Sequence, residues 1–360
     1  MTETSPATQT EGDYGKTTDG FTRLKTSLEP AGLDLGTSRT PVDRFFVCNA
    51  GAAARVDAQR WRLRLDGDAA GRPITLDLDE LRALPWVEVD AWLECAGNGR
   101  QLFERVGGHP RPVSALDTHW MTGGMGMARW GGVRLADVLA LAEPTDGFVW
   151  AGPSGLDVEN EDGDVVGMCL PAWKALDRDT IIALEMNGAP LLTAHGAPAR
   201  LVVPGWIGAY SVKWIDRIAL STSWVPSFRA DVYYRLRDPD GTDRGPATAH
   251  PVKSTLALDW DAVLPPGEQE VHGYARSGAG PIRSVEWSLD GGEWQQARIE
   301  PLDGRWAWTP FHLHVDLEVG SHHLRTRATD ETGATQPTTT PYHPNTILWN
   351  AVTPHPVIVR

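Results

Sequence analysis

The sequence predicts an α+β protein: a mixed α/β domain over residues 41–250, then a β-sandwich over 251–360, preceded by a flexible N-terminal arm, 1–40. Three observations predict this. Period-two and helical hydrophobic patterns alternate between Thr40 and His250. After His250-Pro251 only short strand-like runs remain, separated by Gly, Pro and Asp at sandwich spacing. With 37 Gly, 27 Pro and 16 Trp among 360 residues, and only 22% charged, the composition favours turns and strands over a helical bundle.

Each element follows from its residues. Residues 1–40 hold ten threonines with few apolar groups, too little to offset the entropy of ordering, which predicts a mobile or surface-draped arm. Val87, Val89, Ala91, Leu93 and Cys95 alternate with Glu88, Asp90, Trp92 and Glu94, the signature of a strand with one buried face, and Cys95 ends it on the apolar side. Leu135, Val138, Leu139 and Ala142 keep helical spacing, giving a short helix that follows a Gly131-Gly132 turn and stops before Pro144. Runs 268–274, 284–289, 293–299, 305–308 and 322–329 read as sandwich strands, with Asp290-Gly291-Gly292 as a hairpin turn.

Charge and cysteine count exclude several functions. Thirty-three Lys+Arg against 47 Asp+Glu give a net charge of −14, which argues against nucleic acid or an anionic membrane, whose affinity needs clustered cations. Partners are therefore small molecules or proteins. No stretch approaches the ~18 apolar residues of a membrane span. No secretory or twin-arginine signal is visible, so a cytoplasmic protein is expected, or a periplasmic one if a leader was removed. Cys48, Cys95 and Cys169 cannot form a paired framework, so any special cysteine acts singly.

Two stretches could carry chemistry. In Glu94-Cys95-Ala96-Gly97-Asn98-Gly99-Arg100 a thiol leaves a strand into a two-glycine turn that permits close approach of a ligand, with Arg100 favouring the thiolate. A thiolate there is a nucleophile or a soft metal ligand; the alternative is a buried structural cysteine. The second stretch runs through His195, Arg200 and Ser211-Val212-Lys213, cationic donors among glycine turns that suit an anionic cofactor or simply satisfy turns. His312-Leu313-His314 and His322-His323 lack a partner at metal-ligand spacing and are expected at the surface. A P-loop, a dinucleotide Gly-x-Gly-x-x-Gly after a strand, and Gly-x-Ser-x-Gly are all absent.

In order along residues 41–360, the blocks Phe45-Phe46-Val47-Cys48-Asn49, Glu94 to Arg100, Ala128-Arg129-Trp130-Gly131-Gly132-Val133-Arg134-Leu135, Glu185-Met186-Asn187-Gly188, His195-Gly196, Val203-Pro204-Gly205-Trp206 and Ser211-Val212-Lys213-Trp214 resemble the sulfite oxidase family of molybdopterin oxidoreductases. Val271-His272-Gly273-Tyr274-Ala275, Ser288-Leu289-Asp290-Gly291-Gly292 and Trp349-Asn350-Ala351-Val352 look like that family's immunoglobulin-like dimerisation domain. The resemblance implies a sulfite-oxidase-type α/β molybdopterin domain, an immunoglobulin-like sandwich and a homodimer. It implies that Cys95 ligates molybdenum beside a single pterin's dithiolene, an oxo group and an exchangeable oxygen. Asn49, Asp157, His195, Arg200, Ser211, Val212 and Lys213 would hold the pterin and its phosphate. Arg100, Trp120, Tyr234 and Arg235 would form the substrate pocket, with Tyr234 as hydrogen-bond partner of the exchangeable oxygen.

Two departures stand out. Where sulfite oxidases proper carry arginine, this chain has Cys48 and, near its C-terminus, Val352. At about 1.5–3 kcal/mol per charged hydrogen bond, losing both weakens an oxyanion site and makes sulfite a doubtful substrate. The His-Pro-Gly-Gly haem motif is missing, and no Cys-x-x-Cys-His is present, so no haem is expected on this chain and electrons would pass to a separate acceptor such as a cytochrome. The expected function is two-electron oxygen-atom transfer with a small or anionic substrate. The alternatives are a molybdenum reductase of an S-oxide, N-oxide or nitrate, and a degenerate homologue acting as an interaction protein.

Overall fold

The structure, a computed structural model, describes residues 14–36, 38–109, 118–158, 163–238 and 240–360. Two sheets form the first domain. One orders Ala189–Pro190, Ile181–Met186, Met125–Arg134 and Trp86–Glu94 antiparallel, with Arg200–Val202 also pairing with Ile181–Met186. The other orders Ile74–Leu76, Leu63–Asp66, Ile215–Ser221, Trp150–Val158 and Val165–Gly167, and Leu63–Asp66 runs parallel to Ile215–Ser221. A core including Leu65, Leu135, Leu139, Ile182, Leu201 and Ile218 lies between them. Burying such side chains, each contributing about 1.5–3 kcal/mol, holds the layers together.

Helix Leu135–Ala140 buries Leu135, Val138 and Leu139, as its spacing predicts. The expected Gly131-Gly132 turn is not there: both glycines lie inside Met125–Arg134. A side chain at Gly132 would collide with the Ile182 carbonyl oxygen of the neighbouring strand, so glycine here serves close strand approach.

The strand Trp86–Glu94 forms with the predicted face inward, but its second half is buried on both faces. The C-terminal domain covers the other side. Trp92 clusters with Tyr274 and Trp308, and Glu94 pairs with Arg276 at 2.5 Å and Lys253 at 2.9 Å.

The flexible arm is corrected from Tyr14 onward; residues 1–13 lie outside the described residues. Phe21–Leu24 and Ser27–Pro30 form a hairpin whose second strand is buried throughout. Leu28 exchanges backbone hydrogen bonds with Val47 at 2.8 and 3.0 Å, and Tyr14, Leu28, Val47 and Ala194 form a small core. Apolar groups are sparse in this segment, yet Tyr14, Leu28 and Leu35 are fully buried, which composition averages away.

The C-terminal domain is a sandwich. One sheet orders Lys253–Leu256, Gly267–Arg276, Thr309–Leu317 and Arg298–Ile299; the other orders Ala262–Leu264, His355–Val359, Gly320–Asp330, Ile282–Leu289 and Gln295–Gln296. Val271, Val285, Phe311, Leu313 and Leu324 fill the space between. Asp290 (φ 49°) and Gly291 (φ 77°) make the predicted hairpin turn, whose twist needs left-handed residues. Run 293–299 splits between the two sheets, and 305–308 is not a strand: Trp306 reaches out to donate to Asp179 at 3.0 Å. His312 lies 2.8 Å from Glu270, and His322 lies 2.7 Å from Asp290. No group of three or more potential metal ligands occurs among the described residues, and no described helix is long and apolar enough to cross a membrane.

Candidate active site

Cys95 sits one residue beyond Trp86–Glu94, in a turn locked by its neighbours. The Cys95 N–H donates to Gly124 O at 2.9 Å, and the Asn98 N–H donates to Cys95 O at 2.9 Å. The Asn98 side chain donates to Glu94 Oε1 at 2.8 Å and accepts from the Gly124 N–H at 2.9 Å. The thiol therefore projects from a rigid loop into a cleft with two lobes. Cys48, Ala50, Cys95, Arg229 and Tyr234 line both.

The first lobe gathers Asp157, His195, Arg200, Ser211, Val212 and Lys213 from separate strands and turns. Asp157 lies on Trp150–Val158, His195 ends the short turn Thr193–His195, and Arg200 opens Arg200–Val202. Gly196, at φ 101°, lets the chain turn there while Lys213 and Arg200 pack against it; a Cβ would lie about 3 Å from both side chains. Arg200 donates to His195 O at 3.1 Å and Ser211 O at 2.9 Å, while Lys213 donates to Ala194 O at 3.0 Å and to Asn49 Oδ1.

These cations are buried, and burial pulls them down: Lys213 to about 7, Arg200 to about 9. Burial, reinforced by Lys16, Arg200 and Lys213, also holds His195 well below the usual imidazole range. Arg200 is charged at neutral pH, so its burial carries a desolvation cost that a bound anion would offset. Asn49 Nδ2, His195 Nε2 and Trp120 Nε1 are buried without a hydrogen-bond partner. Such groups cost stability unless a ligand satisfies them.

The Cys48 and Cys95 sulfurs lie 3.7 Å apart. They ionise as a pair: the S–H of one stabilises a thiolate on the other, and Arg229 and Lys213 favour that first charge against the effect of burial. The second ionisation is opposed by the first, and by burial. A single thiolate beside buried donors is suited to a soft, electron-poor metal.

Asn49, Arg100 and Trp120 line the second lobe with Lys25, Thr26 and Tyr233. The predicted site residues thus meet at this cleft with two exceptions: Val352 does not line it, and its N–H donates to Pro337 O at 2.8 Å. Arg235 is also elsewhere, paired with Asp243 at 2.7 Å on the hairpin strand Arg235–Arg237. Sequence reasoning missed Arg229 and Lys25. A π-helical turn, Arg229–Tyr233, carries Arg229 toward Tyr234, and the Tyr234 N–H donates to Arg229 O at 2.8 Å. No periodicity test looks for a five-residue step; the only signal was an arginine shortly before the paired tyrosines.

A sheet-built domain with a thiol, buried cations and unpartnered polar atoms around one cleft, joined to a sandwich, is suited to an anionic cofactor, and similarity to known proteins identifies its class as the molybdopterin oxidoreductases. Residues 50–229 match the oxidoreductase molybdopterin binding domain, and residues 250–353 match the Mo-co oxidoreductase dimerisation domain. The chain is 38% identical over 329 residues to the sulfite oxidase of Gallus gallus, covering 86% of this chain and 70% of that protein. It is 34% identical over 327 residues to the mitochondrial sulfite oxidase of Rattus norvegicus, covering 83% and 57%. The crystal structure of the sulfane dehydrogenase SoxCD from Paracoccus pantotrophus superposes with a TM-score of 0.80 at 28% identity, covering 92% of this chain and 84% of that one. The chain belongs to the sulfite oxidase family. Its residues fit the family's cofactor: the unpartnered Asn49 Nδ2 donor and the buried cations suit an anionic pterin, and the Cys95 thiol suits molybdenum.

Proposed function

We propose that the chain binds a single molybdopterin with its molybdenum at Cys95 and oxidises a small substrate in the Trp120 lobe by two-electron oxygen-atom transfer. When bound, the cofactor supplies the redox and oxygen-transfer chemistry itself. The chain's own residues bind, orient and shield. Arg200, Lys213 and His195 take the anionic end of the pterin, with Ser211, Val212, Asp157 and Asn49 fixing its edges. The Cys95 thiolate anchors the metal. Arg100 ties the surrounding loops through Thr118 O at 2.7 Å and Asn345 O at 3.2 Å, keeping the pocket's shape. Trp120 lines the pocket, and the Tyr234 phenol, whose pKa burial pushes well up, stays protonated and would serve as a donor in the cleft.

The observation that carries this reading is the convergence of orphaned donors and buried cations on the Cys48–Cys95 pair. A degenerate homologue has no reason to keep that burial strain. The C-terminal sandwich is proposed to pair two copies, and a separate protein, such as a cytochrome, to take the electrons. Dye-linked assays test the direction. Turnover with an oxidised dye and a reduced sulfur substrate is expected, whereas turnover only with a reduced dye and an S-oxide, N-oxide or nitrate makes the protein a reductase.

A further inference from the structure

Resting on the molybdopterin reading above, we propose that Arg229 is the specificity-determining residue that selects an oxyanion in the Trp120 lobe, with Lys25 at the rim as its second cation. The family resemblance places guanidinium groups at two positions where this chain has Cys48, inside the cleft, and Val352, which does not line it. The cleft has not lost its cationic character, which comes from other residues. Arg229 lines both lobes, beside both cysteines, at the junction where a substrate must meet the cofactor. The π-helical turn sets Arg229 and Tyr234 on one face, and Arg229 Nη1 lies 3.4 Å from the Tyr234 hydroxyl. Guanidinium and phenol therefore serve the same space, and the Arg229 charge is felt at Cys48, Lys213 and Tyr234.

Arg100 is engaged differently. Its Nη1 donates to Thr118 O at 2.7 Å, its Nη2 to Tyr233 OH and Asn345 O at 3.2 Å each, and its Nε to Thr346 Oγ1 at 3.1 Å. Those bonds hold loops together. Lys25 sits at the turn of the N-terminal hairpin, at φ 56°, exposed, on the rim of the same lobe.

A planar guanidinium binds two oxygens of one anion, an ammonium adds a point charge, and the buried Trp120 Nε1 adds a donor. That set fits a small, compact oxyanion. A neutral S-oxide or N-oxide gains little from two cations.

Inorganic sulfate is the probe, titrated calorimetrically into the holoenzyme at low ionic strength. Arg229→Gln is expected to raise the sulfate Kd about ten- to hundredfold, as loss of a charged hydrogen bond does. Arg229→Lys and Lys25→Gln are expected to raise it less, about three- to tenfold. Arg235→Gln, which removes the same charge outside the cleft, leaves it unchanged. Sulfate affinity indifferent to Arg229, no sulfate binding by the wild type, or an equal loss in Arg235→Gln overturns the proposal; Lys25→Gln and Arg229→Lys decide the matter if Arg229→Gln does not fold. Molybdenum and pterin are assayed in the same preparations. Wild-type protein lacking both refutes the function proposed above, whereas cofactor-replete protein that binds sulfate without regard to Arg229 refutes this inference alone.

Discussion

At the scale of single residues, the cofactor lobe stores electrostatic strain. Lys213 has an ordinary pKa of 10.5 in the unfolded chain and about 7 when folded, because burial disfavours its charge. Between those values the unfolded chain binds a proton that the folded chain does not, so stability rises with pH. Cofactor-free protein is thus expected to resist urea better at pH 9 than at pH 7. Bound cofactor, whose anionic end restores the lysine's charge, should flatten that slope, as should Lys213→Met. An apo-protein with no such slope would mean that Lys213 is not strained. Residues of this kind were legible in the sequence because their chemistry is carried by type: a thiol at a strand end, and His, Arg and Lys among glycine turns. Arg229 was not, since its place depends on a π-helical turn that no spacing rule anticipates. Val352 and Arg235 show the converse, for a position inherited from a sequence block does not say which way a side chain faces.

At the scale of elements, the strand Trp86–Glu94 links the two domains. Its alternation reveals the face turned to the first core, but hides that Trp92 and Glu94 are also buried, since a charged residue reads as solvent-facing until its partners are known. Arg276, Lys253 and His250 hold the Glu94 carboxyl well below the usual range despite complete burial. This cluster lies directly behind Cys95 and fixes the loop that presents it. The N-terminal hairpin teaches the opposite lesson. Averaged over forty residues its composition suggests an arm, whereas Leu28 alone, fully buried and paired with Val47, anchors it beside Cys48. Leu28→Ala is expected to cost about 2–5 kcal/mol, read as a shift in the urea midpoint at unchanged slope. A change within about 0.5 kcal/mol would restore the picture of a loosely draped segment.

At the scale of the whole molecule, a net charge of −14 surrounds a cleft lined by Arg200, Lys213, Arg229 and Arg100. The net negative charge disfavours polyanions, while the buried cations suit one small anionic cofactor, a division of charge that total composition conceals. The mixed α/β domain and the sandwich were both legible as patterns, because period-two runs and turn spacing report layers directly. How the two domains meet was not, because that contact is made by Trp92, Trp306 and Trp308, scattered tryptophans with no local pattern. The central claim is that Cys95 anchors molybdenum in a pterin-filled cleft. Metal analysis and pterin fluorescence of protein from a molybdenum-replete host, wild type beside Cys95→Ser, test it most directly. Wild-type protein is predicted to carry molybdenum and pterin in equal amounts, and Cys95→Ser to lose most of its metal; folded wild-type protein with neither, or a Cys95→Ser variant with full metal content and turnover, would contradict it.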